Sequence, residues 1–256
     1  MPFASRQQPD LPSVQTGFSY LPFDFSRQLF ADGFGVSSDL GLPRHFLPAD
    51  VELLRSTSVF RMASFITDLL SRNECRCDSE NCCSDDFYAA CVAAYCAMHR
   101  DIEDRELLVI YFKQVMILLR HCGIVAVSGG AAKVVRGGMP AEMLYLEIFN
   151  AFWSGVSWDR LFPSMTSLAS MMQKDRYVLV ELIGARDGVF SIEEIASDYS
   201  DIMDLSHDDL LLYFSFFDFS FFTWMSLLGI IEYRNDGPRV QASMTDWGRS
   251  FFLAIE

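Results

Sequence analysis

Apolar positions recur at steps of three and four residues along most of the chain, interrupted by short alternating runs that follow a glycine. Such steps place apolar side chains on one face of a helix, and short alternating runs place them on one face of a strand. Leu47-Pro48-Ala49-Asp50 predicts a helix start with Pro in the first turn, continuing through Val51, Leu54, Phe60, Ile66 and Leu69. Ser84-Asp85-Asp86 predicts the cap of a helix through Phe87, Cys91, Ala94, Tyr95 and Met98. Glu103 or Asp104 opens the next helix, through Leu107, Leu108, Tyr111, Val115 and Leu118, which stops at Cys122-Gly123. Ile124-Val125-Ala126-Val127, the turn Ser128-Gly129-Gly130 and Ala131-Ala132-Lys133-Val134-Val135 predict a hairpin. Pro140-Ala141-Glu142 then starts a connecting helix through Leu144, Ile148, Phe149 and Phe152, anchored by Trp153, Trp158, Leu161 and Phe162.

The last third repeats this order. Ser191-Ile192-Glu193-Glu194 has the spacing of a capping box, in which the hydroxyl accepts the Glu194 N–H and the carboxylate reaches back to the Ser191 N–H. A short helix through Ile195, Ala196 and Tyr199 follows. Ser206 caps a longer one, with His207, Asp208 and Asp209 in its first turn, where carboxylates suit the helix dipole. Phe214, Phe217, Phe221, Trp224 and Leu228 share one face of that helix, and Gly229 falls just after its end. Ile230-Ile231-Glu232-Tyr233-Arg234, the turn Asn235-Asp236-Gly237 and Arg239-Val240-Gln241-Ala242-Ser243 predict a second hairpin. Thr245 caps a final helix beginning Asp246-Trp247-Gly248-Arg249.

The internal repeat is therefore a long helix, a glycine stop and two short strands, once at residues 118–135 and once at residues 224–243. The string Leu227-Leu228-Gly229-Ile230-Ile231, followed by a hairpin and Met244-Thr245-Asp246-Trp247-Gly248-Arg249, resembles the ending of bacterial winged-helix (winged helix-turn-helix) proteins. The whole arrangement more loosely resembles bacterial tandem winged-helix proteins of unassigned function. The resemblance implies a mainly α fold with short β-hairpin wings, in two winged-helix-like units. Residues 1–46 then form an irregular aromatic-rich N-terminal arm, 47–165 the first unit with its connecting helix, and 166–256 the second unit. The arm holds Phe18, Tyr20, Phe23, Phe25, Phe30 and Phe34, too many aromatics for a solvated tail, and is expected to dock on a neighbouring surface.

Charge pulls against a DNA-reading role. Regulators of this kind place basic or polar residues on the recognition helix, yet here that helix of the second unit offers Asp208, Asp209 and Asp218 and no Lys or Arg. The formal net charge of the 256-residue chain is −14, whereas DNA binding draws on neutralising phosphates with Lys and Arg. Hydrophobic content of 51% fits a folded protein. Seven cysteines, an odd number, and an N-terminus without a secretory apolar core fit a reducing cytoplasm. Residues 210–231 are apolar enough to cross a bilayer, but Asp218 near their middle and the hairpin that follows favour a buried helix.

Candidate chemistry is sparse. Cys75, Cys77, Cys82 and Cys83 make the only metal-like set, in a polar loop. Four thiolates suit tetrahedral zinc, but C-x-C-x4-C-C is not a pair of C-x2-C knuckles, and adjacent Cys82 and Cys83 aim poorly at one ion. The competing readings of this set are a loop of incidental thiols and a reversible disulfide. His45, His99, His121 and His207 are scattered, and neither a nucleophile elbow nor a phosphate loop is present, so no enzyme is expected. Lys113 and Arg120, seven apart on one helix, with Lys133 and Arg136 at the first wing, form the set that could touch DNA phosphates. Phe219 and Phe222 interrupt the polar stripe of the last long helix and are expected to meet the first unit, the arm, a partner protein or a second copy. The reading is a non-enzymatic cytoplasmic protein acting through protein contacts, without cofactor. The alternatives are a DNA-binding transcriptional regulator using the first unit and a zinc-containing interaction module.

Overall fold

The computed structural model describes residues 48–253 apart from 73–74, 80–81, 99–103, 187 and 235–239. The expected N-terminal arm and the turn at Asn235-Asp236-Gly237 lie outside the described residues. What is described is mainly helical, with two small antiparallel sheets.

The first half runs α1 (Pro48–Ser56), α2 (Ser58–Arg72), β1 (Cys75–Ser79), β2 (Cys82–Cys83), α3 (Asp85–Met98), α4 (Arg105–His121), β3 (Val125–Ser128) and β4 (Ala131–Val134). The single helix expected from residue 48 onward is two. Thr57 divides it: its buried hydroxyl donates to the Leu54 carbonyl at 2.7 Å and accepts the Phe60 N–H at 3.4 Å, ending α1 and capping α2. Of the two candidate caps for α4 it is Asp104 that serves, its carboxylate accepting the Leu107 N–H at 2.9 Å. The cysteine segment, expected to be a loop, is strand. β1 pairs with β4 (Cys75↔Ala132, Arg76↔Ala131) and with β2, giving a sheet in the order β2-β1-β4-β3.

A connecting region follows: α5 (Ala141–Asn150), which runs on into a π-helical turn over Ala151–Gly155, then α6 (Trp158–Leu161) and a 3-10 turn, Pro163–Met165. The second half runs α7 (Thr166–Lys174), α8 (Arg176–Gly184), β5 (Val189–Ser191), α9 (Ile192–Ile202), a 3-10 turn at His207–Asp209, α10 (Leu210–Phe216), a π-helical segment Phe217–Phe222, α11 (Thr223–Leu227), β6 (Ile231–Arg234), β7 (Gln241–Met244) and α12 (Asp246–Leu253). Its sheet has the order β5-β7-β6. The two halves share one plan. In each, a helix, a short strand, two helices and a hairpin recur in that order, with β2 an addition in the first half, and the short strand pairs with the hairpin's returning strand. The expected capping box at Ser191 does not form. Ser191 is the last residue of β5, held opposite Gln241, and its hydroxyl is buried without a hydrogen-bond partner.

Matched chain reversals end the two long helices. Gly123 and Gly229 both adopt positive φ (+66° and +74°). Around each, the glycine N–H donates three residues back and the next N–H five residues back: Gly123 to Arg120 and Ile124 to Leu119, Gly229 to Ser226 and Ile230 to Met225. The surroundings differ. A Cβ on Gly123 would meet nothing within 4 Å, whereas one on Gly229 would lie 2.7 Å from Cγ2 of buried Thr57. Ala at either site costs about 1–2 kcal/mol for the left-handed backbone. Gly229→Ala is expected to cost roughly 1–3 kcal/mol more than Gly123→Ala, the usual size of an overpacking term, as read by paired urea unfolding curves.

The buried aromatic residues join the halves into one connected core. Phe152 stacks on Trp224 with centroids 4.8 Å apart. The Trp224 indole N–H donates to Gln114 Oε1 at 2.9 Å, and Gln114 Nε2 donates to the Leu161 carbonyl at 2.7 Å. Tyr145 donates to the Leu228 carbonyl at 2.7 Å and accepts the Trp247 indole N–H at 3.0 Å. Full enclosure of the Tyr145 hydroxyl pushes its pKa up, so it stays a donor. α1 adds to the join, packing on both α5 and α12.

Candidate functional site

The long helix of the second half presents its two ends differently. From Phe216 onward it is core: Phe216, Phe217, Phe221, Phe222, Trp224 and Leu228 are enclosed. Tyr213 joins them, whereas Leu211 and Leu212 in the first turn and Phe219 within the π-helical segment remain 76%, 47% and 68% exposed. Leu211 and Phe219 are spaced by two four-residue steps, with Ser215 between them, so they line one side of the helix. Ile202, at the end of the preceding α9, adds a fourth exposed apolar side chain. Asp201, Asp204, Asp208 and Asp209, all exposed, surround the approach to α10. Asp218, beside Phe219, is half-buried. Burial pushes its carboxyl up, and the Tyr233 hydroxyl pulls it part-way back. No Lys or Arg occurs anywhere between residues 187 and 233. The result is an apolar row in a negative field.

Phe222 corrects an expectation. An unbroken α-helix would turn it away from Phe217, and it was expected to meet another unit or chain. The π-helical segment takes about five residues to turn once, which brings Phe222 back over Phe217 with ring centroids 6.2 Å apart. There it also meets Phe190 of β5 and is fully enclosed. Only Phe219 of the pair offers surface. The Thr223 hydroxyl donates to the Asp218 carbonyl five residues back, at 2.7 Å, supporting the widened turn. The same helix, Leu210–Leu227, is long and apolar enough to cross a membrane by length and composition, and Phe216, Phe217, Phe221, Phe222 and Trp224 on it are enclosed in the core.

The set expected to touch phosphate is dispersed in use. Lys113 pairs with Asp85 at 3.0 Å and lies over the Tyr88 ring at 5.4 Å. Arg136 donates to the Cys122 carbonyl at 3.0 Å and to the Glu147 carboxylate at 3.2 Å. Arg120 is half-buried in the last turn of α4, and Lys133 is exposed on β4. The helix that carries Lys113 and Arg120 is enclosed on several sides, with Leu108, Phe112, Val115, Met116 and Leu119 all buried.

Of the four cysteines expected as a metal set, Cys75 and Cys83 are buried and Cys77 is half-buried on paired strands; Cys82 lies in β2 beside them. The Cys77 and Cys83 sulfurs are 3.8 Å apart. Burial, followed by the neighbouring Cys75 and Cys77 thiols, pushes the Cys83 pKa up. Among the described residues no group of three or more His, Cys, Asp or Glu has metal-holding geometry.

One feature was invisible in the sequence. An open cleft of about 720 Å³ lies between α1, the second sheet and the start of α12, with Leu53, Val189, Arg234, Ser243, Thr245 and Arg249 on its walls. Its charges are matched internally: Arg234 donates to Glu232 (2.9 Å) and Ser243 (3.1 Å), and Arg249 to Asp246 (2.6 Å) and the Met244 carbonyl (2.8 Å). The lining comes from segments more than a hundred residues apart, and no local pattern marks it. Compared with known proteins, the chain matches no family model, no curated protein and no solved structure.

Proposed function

We propose that this chain is a non-enzymatic, cytoplasmic protein of two winged-helix units in tandem that works through protein–protein contact. The partner it suits is a segment presenting apolar side chains flanked by Lys or Arg. The observation that carries this reading is the row Leu211, Leu212 and Phe219, exposed on one helix in a stretch of chain, residues 187–233, that carries exposed carboxylates and no Lys or Arg. Large exposed apolar side chains grouped within a polar rim mark interaction surfaces. Complementary charge speeds encounter and selects among partners. The winged-helix assignment is supported by the shared plan of the halves, in which the first strand of each pairs with the last strand of its hairpin.

The DNA-binding alternative draws less support. In the first unit the helix that would enter a groove is largely core, and Lys113 and Arg136 are already paired with carboxylates. In the second unit the corresponding helix is acidic.

The test is affinity capture from the native host with and without nuclease, comparing wild type with the double variant Leu211→Glu, Phe219→Glu. Both sites are exposed, so the variant is expected to keep its stability within about 0.5 kcal/mol per site. A partner recovered by wild type, insensitive to nuclease and lost from the variant, is the expected result. Recovery that the variant retains, or that nuclease abolishes, overturns the reading. So does duplex DNA binding by the full chain tighter than about micromolar at physiological salt, the tight end of non-specific binding.

A further inference from the structure

We propose that Cys77 and Cys83 form a reversible dithiol–disulfide pair closing the β1–β2 hairpin, oxidised by exchange with a low-molecular-weight disulfide of the glutathione class. The two residues face each other across antiparallel strands. The Ser84 N–H donates to the Arg76 carbonyl at 3.2 Å, one residue outside the pair on each strand. That bond marks Cys77 and Cys83 as a non-hydrogen-bonded pair, the kind whose Cα atoms approach to about 4.5 Å. This separation falls inside the range a disulfide bridges. The sulfurs are already 3.8 Å apart, so closing to a bond of about 2.0 Å asks for side-chain rotation and no strand movement.

The two thiols have different roles. Cys77 is the more accessible and Cys83 is buried, so Cys77 meets the small disulfide first. The Cys77 thiolate attacks one sulfur of that disulfide, its S–S bond breaks, and one small thiolate leaves. The mixed disulfide on Cys77 is then attacked by the Cys83 sulfur, which gives up its proton to solvent as the second small thiolate departs. Two protein thiols are oxidised and one small disulfide is reduced to two thiols. Burial raises the Cys83 pKa, which makes this second exchange the slower one. Cys91, on α3, is fully buried and lies off the paired strands, so no strand register holds it opposite Cys77. Cys75 is two residues before Cys77 on the same strand, hence on the same face, and lies within hydrogen-bonding reach of Cys83. It is the rival that the mapping must separate.

The experiment uses the full chain, reduced and then equilibrated with oxidised glutathione, quenched in acid, alkylated and digested with trypsin. Cys77 and Cys83 fall in one tryptic peptide, residues 77–100, and Cys75 falls outside it. The expected product is that peptide lighter by two hydrogens, with fragment ions placing the bond between Cys77 and Cys83, and restored by dithiothreitol. Cys83→Ser is expected to lose the internal bond and retain glutathione on Cys77. Cys82→Ser is expected to keep the bond, which guards against a variant that merely fails to fold. A bond mapping to Cys75 or Cys82, or wild-type thiols that remain free at an excess of oxidised glutathione, overturns the proposal.

Discussion

Phe217→Ala is expected to destabilise the chain by about 3–5 kcal/mol, the usual range for emptying the site of a buried Phe. Phe217 is fully enclosed, with Tyr199, Phe216, Phe221 and Phe222 as ring neighbours at 5.4, 6.4, 6.4 and 6.2 Å. Those rings come from α9 and from the long helix itself, so the cavity cannot collapse without moving both. A loss of this size is a large share of the 5–15 kcal/mol that holds an ordinary domain folded. Phe219→Ala, two residues on, removes an exposed ring and is expected to stay within about 0.5 kcal/mol of wild type. Chemical denaturation of the two variants side by side checks this. If Phe217→Ala unfolds like wild type, the long helix does not face the core in the way described.

Gln114→Leu is expected to cost about 2–6 kcal/mol, because it strips hydrogen-bond partners from two buried groups at once, each worth roughly 1–3 kcal/mol when left unpaired. The groups are the Trp224 indole N–H and the Leu161 carbonyl. One lies in the second half and the other in the connecting region, so Gln114 ties both to α4. A double-mutant cycle with Trp224→Phe separates this bond from packing. Removing donor and acceptor together is less costly than removing the acceptor alone. The double variant is therefore expected to lose less than the sum of the single variants. Strict additivity would mean that the bond contributes nothing to joining the halves.

Long, strongly periodic elements were legible in the sequence: α4, the connecting α5 and both hairpins stand where their patterns put them. The glycine stops were legible too, because only a residue without a Cβ closes those turns cheaply. The first strand of each half was not. Cys75–Ser79 is too polar to alternate visibly, and Val189–Ser191 has only three residues. Both are strands because a hairpin elsewhere in the chain offers them an edge, and that is a tertiary cause. Ser191 does stand at the start of α9 in extended backbone, as a cap should, but its hydroxyl makes no bond there. At the candidate site, Phe219 was legible as a break in the polar stripe. Phe222 was misplaced because nothing in residue spacing announces a π turn. In sequence Leu211 and Leu212 are continuous with the apolar run that follows, and only burial separates them from it.

The Leu-Gly-Ile and Thr-x-x-Gly strings are two sides of a single clasp. The Thr245 hydroxyl donates to the Gly229 carbonyl at 2.5 Å and accepts the Gly248 N–H at 2.8 Å, while the Thr245 N–H donates to the Ile230 carbonyl at 3.0 Å. A Cβ on Gly248 would stand 2.1 Å from that same carbonyl oxygen. Sequence spacing shows the residues; only the fold shows why a threonine and two glycines are needed together.

The π-helical segment at Phe217–Phe222 also fixes which way the exposed row points. An α-helix advances 100° per residue, so the angular phase between Leu211 and the enclosed Trp224 depends on the number of residues wound between them. Rewinding these six residues to plain α geometry without removing any would turn Leu211 and Leu212 about the helix axis by roughly a quarter turn or more while Trp224 kept its place. Removing one residue as well would largely undo that rotation. The outward aim of this surface is thus stored in the match between chain length and the widened turn.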